Sequence, residues 1–152
     1  MRLVPIAAAA GAILAAFSAP AGATGGLGCE AKDANVRFAV DTAVTRGMGG
    51  AFFNFQATLE LAMDGVPDDL RRLTLDEALT HSWLDGKELK LQFYLEREDG
   101  GYASVDFVVE TAMVEEGEYR GGYILTVVTP ETPYAPDPVE RSATGEVVCY
   151  VE

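Results

Sequence analysis

The chain is 152 residues long and carries 24 acidic side chains against 11 Lys and Arg, a formal net charge of −13 at pH 7. Nucleic acid and anionic membrane surfaces are poor partners for such a chain, whereas cationic ligands and basic proteins are attracted to it over long range. A chain of this length supports one domain with a real core rather than two.

The N-terminal stretch reads as an export signal. Arg2 gives a short positive start and Leu3 to Phe17 an apolar run, and Ala21-Gly22-Ala23 then sets small residues at the −3 and −1 positions that signal peptidase requires. The apolar run falls short of the roughly 20 residues that cross a bilayer. Nothing later in the sequence is long and apolar enough either, so no membrane span is expected in the mature chain. The expected organisation is a signal peptide over 1–23 and a single β-rich domain over 24–152, periplasmic or secreted.

Cys29 follows soon afterwards. A lipoprotein signal would put its cysteine directly behind the apolar run and after Leu-small-small, a pattern that Gly26, Leu27 and Gly28 do not match. The other cysteine is Cys149, close to the C-terminus, and two cysteines in an exported chain are most economically one disulfide. A thiolate metal site would need further ligands, and His81 is the one histidine, so neither a metal nor another cofactor is expected. A bridge needs its two Cα atoms within about 7 Å, so the first and last ordered segments are expected to be neighbours.

Period-two alternation dominates what lies between. Val36, Phe38, Val40, Thr42 and Val44 share one face of a first strand, and Phe53, Phe55, Ala57, Leu59 and Leu61 one face of a second. Gly47 to Gly50 joins these two as a hairpin turn. Leu89, Leu91, Phe93 and Leu95 define a third strand, Asp99 to Gly101 turns the chain into a fourth (102–114), and Glu116-Gly117 turns it into a fifth (119–128). The last strand is 145–152, with Val147, Cys149 and Val151 on one face.

One segment breaks this period. Thr74 followed by Glu77 is a capping-box signature, and Leu75, Ala78, Leu79, Ser82 and Trp83 fall on one face of a helix over 75–84 that Asp85-Gly86 would end. The alternation of Leu73 and Leu75 leaves a strand as the other reading. The expected fold is therefore mainly β: an antiparallel six-stranded sandwich or partly closed barrel with one short helix.

A catalytic set is hard to assemble. His81 and Ser82 are neighbours, which is the wrong spacing for an activated serine, and neither Ser104 nor Ser142 lies in a nucleophile-elbow context. Paired carboxylates could serve glycoside hydrolysis, but the acidic residues cluster at turns, where charge is ordinarily solvated. Asp64, Asp68 and Asp69 offer oxygen for calcium without the spacing of an EF-hand. Binding is better served. Tyr134 stands among Pro130, Pro133, Pro136 and Pro138 in a stiff loop, Trp83 and His81 are further contact candidates, and Met48 sits at a turn. These features suggest a non-catalytic binding or accessory module for a protein or cell-envelope component, with basic partners favoured by charge. The alternative is a small apolar-ligand carrier, with Phe38, Phe53, Phe55 and Phe93 lining a barrel pocket.

Overall fold

A computed structural model describes residues 24–45, 52–99, 101–130 and 137–152. The export signal, the Gly47 to Gly50 turn with Met48, and Tyr134 lie outside the described residues. The elements in chain order are β1 (Thr24–Lys32), β2 (Val36–Thr45), β3 (Phe52–Leu61), a single 3-10 turn (Asp68–Leu70), β4 (Arg72–Thr74), β5 (Leu79–Leu84), β6 (Glu88–Glu96), β7 (Ser104–Glu115), β8 (Glu118–Pro130) and β9 (Pro138–Val151).

All strands belong to one antiparallel sheet of nine, in the order β4-β3-β2-β1-β9-β8-β7-β6-β5. The two edge strands, β4 and β5, are consecutive in the chain and separated only by Leu75 to Ala78. An extended connection of that length reaches at most ~18 Å, whereas nine strands laid flat would be about 38 Å across. The sheet therefore curls, and it forms a half-barrel rather than a sandwich. At the seam, the Leu75 amide donates to the Ala57 carbonyl of β3 (2.8 Å) and the Tyr94 amide of β6 donates to the Ala78 carbonyl (2.9 Å). Asp76 Oδ1 accepts from the Ala57 amide at 2.8 Å.

The expected helix over 75–84 is absent. Leu75 and Ala78 are buried in a turn, and β5 pairs with β6 from Leu79↔Phe93 to Leu84↔Leu89. Threonine, histidine, serine and tryptophan are indifferent helix formers, and an isolated ten-residue helix is marginal in water. Strand pairing and the seam bonds win. The strand count also departs from six. β1 was hidden by its glycines, β4 is a three-residue strand just ahead of the supposed helix, β5 lay within it, and β9 begins at Pro138 rather than at 145.

Elsewhere the alternation holds. Val36, Phe38, Val40, Thr42 and Val44 are all buried, as are Leu89, Leu91 and Phe93, and β6, β7 and β8 form the expected meander. Phe53 is an exception: it is exposed, because the β2–β3 register shifts opposite Asp41 to Ala43 and Asn54 takes a positive φ of 52°. That bulge reverses the phase of the strand end, so that Phe52 packs on the core in place of Phe53, while Phe55 packs there as expected.

Among the described strands, the only neighbours that are not consecutive in the chain are β1 and β9. Cys29 and Cys149 are direct partners across this pair, with Cα atoms 4.0 Å apart, and they form the disulfide. Both point into the core.

Candidate protein-binding face

The inside of the half-barrel is filled. Phe38 packs at a tilt against Phe107 at 4.6 Å and meets Phe93 edge-on at 5.6 Å, and Phe107 stacks on Tyr123 at 5.1 Å. All four rings are fully buried. At the rim of this cluster Tyr123 donates its hydroxyl to Asp33 Oδ2 at 2.5 Å, while Asp33 Oδ1 accepts from the amides of Asn35 and Val36 in the β1–β2 turn. Burial works against the ionised Asp33, but the Tyr123 hydroxyl and the two amides outweigh it and hold the carboxyl below its ordinary value. Burial, and then the Asp33 carboxylate, push the Tyr123 phenol up. This pair fastens one end of the core.

The chemistry available to a partner lies on the outer face. Because β6, β7, β8 and β9 bury alternate residues, the others form rows across the outside. One row runs Trp83, Lys90, Glu110, Gly122, Glu146, and the next runs His81, Gln92, Val108, Ile124, Thr144. A third begins Tyr94, Asp106, Thr126, Ser142. Trp83 is 56% exposed and Ile124 51% exposed, so large apolar groups stand on a wet face, Trp83 on its edge strand and Ile124 inside the sheet on β8. Around them lie Glu88, Glu96, Asp106, Glu110, Glu118, Glu140 and Glu146.

The cations of this face are already engaged. Arg120 is bonded to Glu118 at 2.5 Å and Lys90 to Glu88 at 3.6 Å. Glu118 holds the Arg120 guanidinium charged. Gly122 has no side chain, so Glu110 and Glu146 flank bare backbone, two strand spacings or roughly 10 Å apart. Tyr94 donates to Glu96 at 2.5 Å, and that carboxylate, with Tyr102 beside it, pushes the phenol up.

Of the residues singled out in the sequence, Trp83 and His81 are brought together on β5, facing outward opposite Lys90 and Gln92. Successive strand residues point to opposite faces, so His81 and Ser82 do not form a base–nucleophile pair. Ser104 is buried next to Tyr102, and Ser142 is exposed on β9. Asp69 holds Arg97 through both oxygens (2.8 and 3.0 Å) and Asp68 lies 3.3 Å from Arg71. Among the described residues no three His, Cys, Asp or Glu side chains gather closely enough to hold a metal ion. No described helix is long and apolar enough to cross a membrane.

Ile124, Glu110 and Glu146 were not foreseen as site residues. Only the strand register puts them in one patch. Comparison with protein-family models, with curated proteins and with solved structures found no match.

Proposed function

We propose that the chain is an exported, non-catalytic binding module whose outer β5–β9 face takes a basic protein partner of the periplasm or cell envelope. The observation that carries this reading is the make-up of that face: carboxylates surround exposed Trp83 and Ile124, and the resident cations are spent on internal pairs. Long-range attraction would steer a basic partner to it, and the apolar and aromatic groups supply short-range contact. The filled aromatic interior favours this reading over a carrier of small apolar ligands, because the space such a ligand would need is taken by Phe38, Phe93, Phe107 and Tyr123.

Affinity capture from envelope extract tests it, with the wild type run beside the Glu110→Lys, Glu146→Lys double variant. A basic protein should be retained by the wild type at low salt, released as ionic strength rises, and lost with the variant. Retention indifferent to both salt and charge reversal would refute the reading. So would native mass spectrometry that finds an apolar small molecule carried by the purified protein.

A further inference from the structure

Edge strands in natural proteins are protected by charge, proline, a bulge or a cover, since their unpaired backbone groups invite another strand. β5 has little of this. Its sequence, Leu79-Thr80-His81-Ser82-Trp83-Leu84, contains no carboxylate, lysine, arginine or proline, in a chain with a net charge of −13. Its bulge lies at Thr80, at the start of the strand, and leaves the stretch from His81 onward regular. Among the described residues β6 is its one strand neighbour. Thr80, His81, Ser82 and Trp83 are all exposed. Ser82 is the telling case, because its partner Leu91 is buried while Ser82 is not. The middle of the strand, Thr80 to Trp83, stands clear of the core on both faces, while Leu79 and Leu84 at its ends pack against it.

We propose that β5 pairs antiparallel with β5 of a second copy of this chain, on a two-fold axis at Ser82, so that two half-barrels join edge to edge. This goes beyond the binding of a basic partner and does not depend on it. The argument for a second copy is charge. Over most of its surface an acidic chain approaching itself sets carboxylate against carboxylate, and β5 is a neutral break in that surface. An axis at Ser82 places His81 opposite Trp83 of the other copy, twice, and Thr80 opposite Leu84. Glu77 and Lys87 lie in the turns that precede and follow β5, so antiparallel pairing sets the turn that holds Glu77 in one copy beside the turn that holds Lys87 in the other. A contact confined to one short strand is small, and it belongs with reversible associations rather than obligate dimers.

Sedimentation velocity on the purified chain alone, from micromolar to millimolar concentration, should show a monomer passing reversibly into a dimer. Trp83 is the only tryptophan, so its emission should shift to the blue over the same concentration range as the exposed indole is covered. Ser82→Lys sets ammonium against ammonium on the axis at an exposed position, and should leave a monomer throughout with an unchanged circular dichroism spectrum. Ser82→Cys should oxidise to a dimer linked through position 82, with the native Cys29–Cys149 bridge intact by peptide mapping. A wild type that stays monomeric at millimolar concentration would overturn the proposal. A dimer that survives Ser82→Lys would overturn it as well, because association would then use another surface. No basic partner is present in any of these measurements, so their failure leaves the function proposed for the outer face standing.

Discussion

Replacing Cys29 and Cys149 together by alanine perturbs the one place where the sheet depends on distant parts of the chain. All other neighbouring strands in the order are consecutive and close short connections, whereas β1 and β9 must find each other across 120 residues. In the chain-entropy account, a cross-link over a loop of that length restricts the unfolded chain by about 5 kcal/mol at 25 °C. Both cysteines are fully buried, so the alanines also remove core volume, at about 1 kcal/mol for each methylene-sized group. Partial structure in the unfolded chain acts the other way, and native bridges in small secreted domains are worth about 2–5 kcal/mol overall. A loss within that range is the expected outcome. Urea unfolding of the oxidised wild type, the reduced wild type and the double-alanine variant separates the contributions, since reduction alone removes the cross-link without removing sulfur. Hydrogen exchange in the variant should rise first where Leu27 to Glu30 pairs with Val148 to Val151, and last in β6 to β8. A loss below about 1 kcal/mol, or alkylatable thiols in native oxidised protein, would refute the reasoning.

Tyr123→Phe removes the hydroxyl from the Asp33 carboxylate, and because that carboxylate is largely solvated the loss at neutral pH should be about 1 kcal/mol by thermal or chemical denaturation. Asp33 is held down in the folded state, so its contribution is present above the unfolded value of about 3.9 and fades as pH falls through the lower folded value; Tyr123 is pushed up, so its contribution is present below about pH 10 and fades above it. The variant should therefore lose Tyr123's share of the alkaline phase of the stability profile, and a profile unchanged at both ends would show that the pair does not matter. Gly145→Ala would drive a Cβ into the Asp33 carboxylate and the Tyr123 ring, which stacks on Phe107 and cannot swing aside. The melting temperature should fall with a cost of about 1–3 kcal/mol, and an unchanged melt would contradict this packing.

Alternation was readable wherever a strand had one dry face and one wet face. The inward set of β2, the β6–β8 meander and the inward side chain of Cys149 follow from that rule, and the disulfide followed from the cysteine count read together with an expected export signal. The rule fails where burial is not two-sided. In β1 the inward Leu27 and Cys29 are interleaved with glycines, which carry no pattern. In β5 the middle residues are exposed on both faces, so no pattern exists to be read. In β3 a single bulge at Asn54 moved Phe53 to the surface, and nothing in a row of aromatics announces a positive φ. The outer face was legible residue by residue as the wet half of each strand. Its rows depend on register, which the alternation of one strand does not contain.

The segment 75–84 shows why a local signal lost to a tertiary one. Thr74 and Glu77 satisfy a capping box, and a helix there would have met its own backbone needs. Its neighbours' needs would have gone unmet. Ala57 is buried, and both its amide and its carbonyl find partners only in this turn, at Asp76 and Leu75. The Tyr94 amide finds its acceptor at Ala78, and the free side of β6 is covered by the pairs from Leu79 to Leu84. Each buried polar group left without a partner costs about 1–3 kcal/mol, against about 1 kcal/mol for a helix cap. Leu75 and Ala78 also enter the core only if the chain crosses from β3 to β6 at this point. The same crossing that closes one end of the half-barrel carries the chain outward along β6, and it leaves Trp83 and His81 on an edge exposed to any partner that can reach it.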